Sequence, residues 1–517
     1  MRTRILCGIG LAALCAATQA QLSVGSVPET FGAQRPDGYQ AGVPKPDLCD
    51  QIAPFVPAFR YELEETVKPA KWNGAVASEE GNLSLDIGYL REAQAGILEM
   101  APWIELPNDK GWVKRVELSS KNATGLRVVM TSPDHAQLRV YDPASGVAWG
   151  PYANRPVDDD GKWWSTVIFG DTIGLEFWVP ADMPPQMIRD LRITDVFYCY
   201  YPFSHLVEDH ADTQGACHLD LMCFATRRDT IEARSIAVLF NTTGCTGAML
   251  NRTGSDFAPI LMTARHCINT QANANGIAVV FFWQATSCNG ANPNFNTLPR
   301  NDGSLLLKTD LSSEWTLLGL YDPAGTNSYA GWTSGTVSNG TAVWGVSHPG
   351  LEAKRYHDGS KVGNSSCLGG SSHYFSWATG RIDPGSSGSP IFRNDNGQVV
   401  GTASCASDTN GDGTAGPCAP DGWYGRLDVA FAEIQYYIFN MANPTYVNRA
   451  VAGDAGNDGS SERGTNANPF NTVREGYYCV PAGGTVNIQV GNYNERFTLW
   501  RPMTLRNVGG VVRIGTP

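Results

Sequence analysis

Short stretches of alternating apolar and polar residues, separated by turn residues, fill the first half of the chain. Between about residues 80 and 205 they begin near Trp112, Leu126, Leu138 and Ile173. Alternation with a period of two indicates strands that bury one face. Even spacing with Asp-Pro, Asp-Gly and Gly-Pro turns between the strands predicts an antiparallel β-sandwich.

The apolar stretches of the next region, residues 212–442, are short and follow one another without helical repeats between them. This pattern predicts β-barrels rather than alternating strands and helices. An apolar spacing compatible with a helix appears only at the end of the region, from Leu427. The predicted strands begin at Ser235, Ile277, Trp315, Thr341 and Gln398.

The tail, residues 443–517, has a different pattern. A turn-rich opening near Ala452 is followed by short predicted strands that begin near Gly484, Phe497 and Val511. They look like the first coil of a right-handed parallel β-helix. One coil cannot bury a solenoid core by itself, so we expect the tail to pack on the preceding unit or to be a remnant.

Residues 1–20 predict a secretory signal peptide. Two arginines precede an apolar run from Ile5 to Ala17, and small residues end at Ala20. The run is too short to cross a bilayer, and no later stretch is long and apolar enough to do so. We therefore expect a soluble, secreted protein, extracellular or periplasmic, with no membrane span.

The net charge of −12 argues against nucleic acid as a partner, because nucleic-acid binding needs a basic face. Export also fits the cysteines. Of thirteen, Cys7 and Cys15 leave with the signal, and eleven remain for disulfides in an oxidising compartment. An odd number leaves at least one thiol free or paired elsewhere. Cys49 and Cys199 are the cysteines of the first region and could clasp it.

Two motifs indicate acyl-transfer chemistry. Thr-Ala-Arg-His-Cys places His266 at the end of an apolar strand, and Gly-Ser-Ser-Gly-Ser-Pro places Ser387 between glycines that permit a tight turn. Acyl transfer needs a nucleophile, a base and donors for the oxyanion. Ser387 is the predicted nucleophile and His266 the base, while the backbone N–H groups of Gly385 and Ser387 form the predicted oxyanion hole. The order, His before Ser, excludes the α/β-hydrolase arrangement.

These motifs resemble those of the bacterial lysyl endopeptidases, a branch of the trypsin-like serine peptidases. The resemblance extends from Cys217 to Ile438 and includes Cys245-Thr-Gly, Thr316-Leu-Leu and Tyr424-Gly-Arg. It implies an all-β fold, with a chymotrypsin-like double β-barrel. It also implies a propeptide that is removed. Together with the patterns above, this predicts a signal peptide (1–20), a propeptide with β-sandwich (21–211), a trypsin-like protease domain (212–442) and a β-helix-like tail (443–517).

The resemblance further implies partners and crosslinks. Protein or peptide substrates, no cofactor, no metal and the protein's own propeptide as intramolecular inhibitor are expected. By the same resemblance Cys245 pairs with Cys267 and Cys223 with Cys288. Cys217 pairs with either Cys405 or Cys418. Ser386 replaces the Asp of trypsin that pairs with the new N-terminus, so prodomain removal is the expected control.

The third catalytic residue departs from the family. Where the family has an Asp before an aromatic residue and Thr-Leu-Leu, this chain has Glu314. Glu is one methylene longer but can still accept the imidazole N–H. Asp310 and Asp302 are the alternatives, and the strand pattern favours Glu314.

Substrate preference rests on two acidic residues. The family places a carboxylate two residues before the Tyr-Gly-Arg motif, where this chain has Gly422 preceded by Asp421. Asp383 matches another acidic position of the family. Both are predicted substrate-binding residues for a basic residue at P1, the position before the cleaved bond. Arg381 opposes this, since a cation in the pocket would favour acidic P1 residues.

Two alternatives remain open at this stage. One is a serine endopeptidase with acidic or small P1 preference. The other is a catalytically silent binding protein on a protease scaffold, supported by Glu314 and the appended tail, and opposed by the presence of His266, Ser387 and Gly385.

Overall fold

The computed structural model describes residues 27–35, 58–67, 85–108, 110–131, 136–152, 161–188, 191–201, 217–407, 418, 420–450 and 462–515. The predicted signal and Cys49 lie outside these residues. Strands make up most of the described secondary structure and helices are few and short. The all-β prediction is therefore confirmed.

The described chain begins with two short strands, β1 (Glu29–Thr30) and β2 (Ala33–Gln34). Both pair with the region after residue 217 rather than with the sandwich. Their registers join Glu29 to Thr333 and Ala33 to Tyr329.

Two sheets form the N-terminal unit. Its strands are β3 (Phe59–Glu62), β4 (Leu85–Asp86), β5 (Gly88–Glu92), β6 (Ile104–Glu105), β7 (Trp112–Ser119), β8 (Gly125–Thr131), β9 (Gln137–Tyr141), β10 (Ala148–Tyr152), β11 (Lys162–Trp164), β12 (Thr172–Val179) and β13 (Ile193–Cys199). The larger sheet has the order β10-β9-β12-β7-β3, with β6 beside β7, and the smaller has the order β11-β8-β13-β5. Val116 and Leu175 of the larger sheet share a fully buried core with Val128 and Val196 of the smaller. Each such side chain contributes roughly 1.5–3 kcal/mol.

Two further sheets form the next unit. The strands of the unit are β14 (Leu219–Asp220), β15 (Ile236–Phe240), β16 (Thr243–Met249), β17 (Ile260–Ala264), β18 (Ala278–Phe281), β19 (Arg300–Asp302), β20 (Ser304–Asp310), β21 (Trp315–Leu320), β22 (Ser328–Tyr329), β23 (Trp332–Thr333), β24 (Ala342–Ser347), β25 (Arg355–Cys367), β26 (Gly370–Thr379), β27 (Pro390–Arg393), β28 (Val399–Ala406) and β29 (Asp421–Arg426). Of these, β22 lies outside the two sheets and pairs with β2.

The first of these sheets curls in the order β19-β18-β15-β16-β17-β21-β20, and β4 of the N-terminal unit adds to β16. The second sheet closes on itself. Its strands follow the order β28-β27-β24-β25-β26-β29, and β29 pairs back with β28 to complete a six-stranded barrel. Strand β17 is buried along its whole length, which explains its continuous apolar sequence.

Three parallel strands form the tail: β30 (Thr445–Val447), β31 (Thr485–Tyr493) and β32 (Thr504–Ile514). The tail does not stand apart from the barrels. The fully buried Arg252 donates hydrogen bonds to the carbonyls of Tyr478 and Val480, and Phe470 packs against Tyr437 in the same apolar cluster. The tail therefore packs on the preceding unit.

The helices are short apart from the one predicted from Leu427. They are α1 (Ile97–Met100), α2 (Ile231–Ser235), α3 (Gln271–Asn275), α4 (Leu427–Ile438) and α5 (Val473–Cys479), with 3-10 turns at Pro185–Met187, Leu221–Cys223, Phe295–Thr297 and Pro349–Leu351. Among the described residues, no helix has the length and apolar character needed to cross a membrane.

Four disulfides crosslink the barrel unit. The expected Cys245–Cys267 and Cys223–Cys288 pairs are present, and of the two partners left open for Cys217 the structure selects Cys418. The fourth disulfide joins Cys367 to Cys405. The expected Cys49–Cys199 clasp is wrong, because Cys199 is a buried free thiol whose Sγ donates to the carbonyl of Ile87.

Candidate active site

His266 stands immediately after strand β17, in a turn closed by the hydrogen bond from Cys267 N–H to the carbonyl of Ala264. The Cys245–Cys267 disulfide ties this turn to the neighbouring strand β16. The imidazole is held at the rim of the barrel, with 12% of its side chain exposed. This placement leaves one ring edge accessible while the backbone is fixed.

Ser387 lies in the tight loop before strand β27. Its carbonyl accepts a hydrogen bond of 2.7 Å from Thr246 N–H, which anchors the loop to β16. Gly388 follows with a φ of 82°, and a Cβ there would stand 2.1 Å from both the Thr246 carbonyl oxygen and Thr263 Oγ1. Only glycine permits this close, left-handed approach, so the loop sequence and the position of Ser387 depend on each other.

The structure brings Ser387, His266 and Glu314 together. His266 Nε2 lies 2.6 Å from Ser387 Oγ, and His266 Nδ1 lies 2.9 Å from Glu314 Oε2. The other carboxylate oxygen, Glu314 Oε1, accepts the backbone N–H of His266 at 2.6 Å. A carboxylate only accepts, so Nδ1 carries the ring proton and Nε2 is free to accept from the serine hydroxyl.

The carboxylate of Glu314 is buried, with 1% of the side chain exposed. Its backbone occupies the left-handed region, with a φ of 56°, just before strand β21. A non-glycine residue there is strained, and here the conformation accompanies a side chain one methylene longer than Asp.

The two alternative acids have other partners. Asp310 Oδ1 accepts the backbone N–H of Ser312 at 2.5 Å, as a residue in a tight turn does. Asp302 lies 3.5 Å from the buried guanidinium of Arg127. Glu314, rather than either aspartate, therefore contacts His266.

The peptide group between Pro384 and Gly385 is fixed from one side. Gly350 N–H donates to the Pro384 carbonyl at 2.6 Å. In a trans peptide the carbonyl and the following N–H point in opposite directions, so the Gly385 N–H faces away from Gly350. Thr246 Oγ1 donates to the Gly385 carbonyl at 2.8 Å. The sequence analysis includes Thr246 only as part of the Cys245-Thr-Gly motif and gives no sign of this contact.

The predicted substrate-binding acids each have a partner of their own. Asp383 is buried beside His218, with 2.7 Å between Oδ2 and Nε2. Asp421 is the first residue of β29 and accepts a hydrogen bond from the Tyr374 hydroxyl. Burial, and secondly this hydrogen bond, raise the pKa of Tyr374. Their binding of substrate stays a prediction.

The wall near Gly422 is apolar. A Cβ on this glycine would meet the Trp377 ring at 2.6 Å and the Ile382 side chain at 2.9 Å. Arg381, next to Ile382, is half-buried and donates to the carbonyl of Gly380. No acidic group faces Gly422 in these contacts.

The N-terminal unit reaches the loop behind Gly385. The hydroxyl of Tyr201 donates to the Gly350 carbonyl at 2.7 Å, and Leu351 shares a buried apolar cluster with Leu85 and Phe197. The loop also contains His348, whose burial lowers its pKa to about 3 and keeps it neutral. The same loop thus contacts the candidate oxyanion loop on one side and the N-terminal unit on the other.

Family models match two parts of the chain. The model described as "Lysyl endopeptidase N-terminal domain" matches residues 62–198, and "Lysyl endopeptidase, C-terminal domain" matches residues 211–415. A curated relative, the lysyl endopeptidase of Pseudomonas aeruginosa strain PAO1, is 27% identical over 314 residues. That match covers 56% of this chain and 67% of the relative.

Solved structures also match, at low similarity. The active form of the Rv3671c protease from M. tuberculosis covers 43% of this chain and 91% of its own, with 12% identity and a TM-score of 0.29. The MamO protease domain from Magnetospirillum magneticum covers 40% and 98%, with 14% identity and a TM-score of 0.29. The strand order, and not these distant likenesses, defines the fold.

Proposed function

Because the chain is a lysyl endopeptidase-like protease with an N-terminal region of the same family, we propose that it is an exported serine endopeptidase. It hydrolyses peptide bonds through an acyl-enzyme on Ser387. The observation that carries this proposal is the continuous contact from Ser387 Oγ to His266 and from His266 to Glu314.

In the proposed reaction, Ser387 Oγ attacks the peptide carbonyl and transfers its proton to His266 Nε2. The imidazolium is then stabilised by the buried Glu314 carboxylate at Nδ1. His266 returns the proton to the leaving amine, and the acyl-enzyme remains. Water, deprotonated by the same imidazole, attacks the acyl carbon and releases the acid product with the serine hydroxyl restored.

The tetrahedral intermediates carry a negative oxygen, which needs donors held in place beforehand. The backbone N–H groups of Gly385 and Ser387 are assigned to this role. The hydrogen bond from Gly350 to Pro384, together with that from Thr246 to Gly385, supports a fixed orientation of the loop. No cofactor or metal takes part in these steps.

For the residue at P1 we propose a basic side chain, lysine above all. The names of the matching family and of the curated relative support this preference. Asp421 is the acid assigned to the pocket, because it is half-buried and directly precedes Gly422, the position where the resemblance places the family's carboxylate.

A second preference has its own observation. The apolar surface formed by Trp377 and Ile382 at Gly422, with Arg381 beside it, would favour small or acidic P1 residues. Both preferences use the same catalytic residues, so they differ only in the pocket.

The N-terminal unit is assigned the role of an inhibitory propeptide. Its strand β4 adds to β16 at Thr243 and Gly244, directly before Cys245. Strand β17 pairs with β16 only at Ala248 and Met249, so the beginning of β16 is not covered by β17. Peptides commonly bind by adding a strand at such an open position, so β4 would occupy a place that substrate could use. Cleavage between residues 202 and 216 would then release it, and activity should appear in step with that cleavage.

The test is hydrolysis of peptides that differ only at P1 by the processed protein, with Ser387→Ala beside the wild type and Ser360→Ala, on strand β25, as matched control. Activity in the wild type and control that is lost in Ser387→Ala is the expected result. Preference for lysine supports the acidic pocket, and preference for small or acidic residues supports the Trp377–Ile382 wall. A processed wild type that neither cleaves peptides nor reacts with a serine-directed phosphonate would overturn the proposal.

A further inference from the structure

A second histidine–carboxylate contact supports the loop that carries Gly385. His218 Nε2 lies 2.7 Å from Asp383 Oδ2, and both side chains are buried, with 2% and 6% exposed. Among the described residues, His218 is the basic group in contact with Asp383. A buried carboxylate is costly unless it is paired, so the two side chains depend on each other.

His218 is anchored independently of the N-terminal unit. The preceding Cys217 is joined to Cys418, and the following strand β14 pairs with β25 through Leu219 and Tyr356. Its Nδ1 faces a second carboxylate, with Glu352 Oε2 at 3.9 Å. Cleavage before Cys217 would leave all of these contacts in place.

The Asp383 end of the contact lies two residues before Gly385. Asp383 also closes the turn that leads to the nucleophile, since its carbonyl accepts the N–H of Ser386 at 2.9 Å. The Ser386 hydroxyl in turn donates to Ser347 Oγ at 3.0 Å. A shift of the Asp383 side chain would therefore move the peptide groups whose N–H groups are assigned to the oxyanion.

We propose that His218 is a positioning residue, which acts through Asp383 to hold the Gly385 N–H in the geometry that stabilises the oxyanion. This inference rests on the proposed function of Ser387 and deepens it. It gives Asp383 a role in the loop instead of the pocket. In trypsin, an Asp before the nucleophile pairs with the new N-terminus, and Ser386 cannot make that contact. The His218–Asp383 contact takes its place, with a histidine near the start of the processed protease instead of a free N-terminus.

A purely structural pair would behave differently from a positioning pair. Loss of a structural contact lowers the free energy of unfolding and leaves the turnover of the folded fraction unchanged. A displaced oxyanion donor lowers kcat with little change in KM, because the donor interacts with the transition state more strongly than with the substrate. Deleting one such donor outright costs about 100- to 1,000-fold in kcat, so displacement should cost about 10- to 100-fold.

The experiment uses the processed protein carrying His218→Gln, Asp383→Asn or both, with His373→Gln as the matched control. His373 is equally buried and lies 3.9 Å from a carboxylate, that of Asp428. For each protein, kcat and KM are measured on the best peptide substrate. The affinity for a peptidyl trifluoromethyl ketone, which forms a tetrahedral adduct with the serine, is measured alongside that for the corresponding product peptide.

The expected result is a 10- to 100-fold fall in kcat and in affinity for the ketone, with KM and product affinity within about threefold of wild type. The double variant should be no worse than the more damaged single variant, because one contact is removed in each case. His373→Gln should retain wild-type kcat.

The inference is overturned if both single variants keep kcat within about twofold of wild type, whether or not their melting temperatures fall as that of the control is expected to do. Should His218→Gln fail to accumulate, Asp383→Asn carries the same test, because it preserves the shape of the side chain. An inactive wild type beside an equally inactive Ser387→Ala would instead contradict the proposed function itself.

Discussion

Two histidine–carboxylate pairs with a contact below 3 Å lie among the described residues of this protease, and only one of them also contacts a hydroxyl group. In the first, His266 contacts Glu314 at Nδ1 and Ser387 at Nε2. In the second, His218 contacts Asp383 at Nε2, and its Nδ1 faces the more distant Glu352. The carboxylates of both pairs are buried.

The difference lies in what the second ring nitrogen meets. At His266 it meets a hydroxyl that can give up a proton, so the ring can move protons during a reaction. At His218 the second ring nitrogen lies 3.9 Å from the Glu352 carboxylate, beyond hydrogen-bond distance, and no hydroxyl contacts it among the described residues. A histidine–carboxylate pair can therefore either transfer protons or hold a loop in place. The group beside the second ring nitrogen decides which of the two it does.

The largest expected effect comes from removing the hydroxyl or the ring of the first pair. Ser387→Ala and His266→Ala should each lower kcat about a million-fold, and the double variant should be hardly worse, because the two residues act as a unit. Peptide hydrolysis by the purified variants measures this. Additive losses would show that the two side chains act independently.

The next effect concerns the carboxylate of the first pair. Glu314→Gln should lower kcat about ten-thousand-fold, because an amide can donate to Nδ1 and so favour the wrong tautomer. Glu314→Asp keeps the charge but shortens the reach, and should cost about 100-fold, as a misplacement of about 1 Å can. If Glu314→Asp proves faster than the wild type, the longer side chain is not matched to its strained turn.

A third test compares these pairs with a buried histidine that has no acidic partner among its described contacts. His357 bonds the Tyr424 hydroxyl, and burial lowers its pKa to about 3 from 6.5. The unfolded chain therefore takes up the proton first, and the stability present above pH 6.5 is lost as the pH falls toward 3. One such histidine contributes a slope of at most about 1.4 kcal/mol per pH unit.

His357→Gln should accordingly make the fall in melting temperature between pH 7 and pH 4 shallower than in the parent. Thermal unfolding in a Ser387→Ala background, which prevents self-cleavage, measures both slopes. Equal slopes would mean that burial does not lower the pKa of His357 in the folded protein.

The smallest effect is expected at the outer carboxylate of the second pair. Glu352 contacts Arg355 at 2.7 Å, and its distance from His218 is 3.9 Å. Glu352→Gln should therefore lower kcat by no more than about threefold, well below the loss in His218→Gln. Equal losses in steady-state kcat would assign the support of His218 to Glu352 rather than to Asp383.

Local sequence patterns were sufficient to predict much of the fold and which residues meet at the candidate active site. A continuous apolar strand followed by His266, and glycines around Ser387, predicted residues that the fold brings to within 2.6 Å of each other. Glu314 was favoured over Asp310 by its position before a strand. The spacing along a strand fixes where its end residues lie, which is why local patterns can indicate residues that meet, while their catalytic roles stay predictions.

Other features could not be read in this way. The partner of Asp383 is 165 positions away in sequence, at His218, and nothing in either local pattern joins the two. The apolar surface near Gly422 is formed by Trp377 and Ile382, which precede the nucleophile in the chain. The sequence also could not show that Cys199 is a buried free thiol, because this depends on which residues surround it in the folded protein.

The sequence by itself determined the all-β class, the alternation of buried and exposed strand positions, and the residue types suited to acyl transfer. These depend on local geometry, in which period-two strands and glycine turns leave few choices. Only the tertiary structure decided which carboxylate meets which histidine, which cysteine Cys217 joins, and how the N-terminal unit and the tail pack on the barrels. Those contacts join residues far apart in the chain, and their free energies depend on burial and distance, which no local pattern contains.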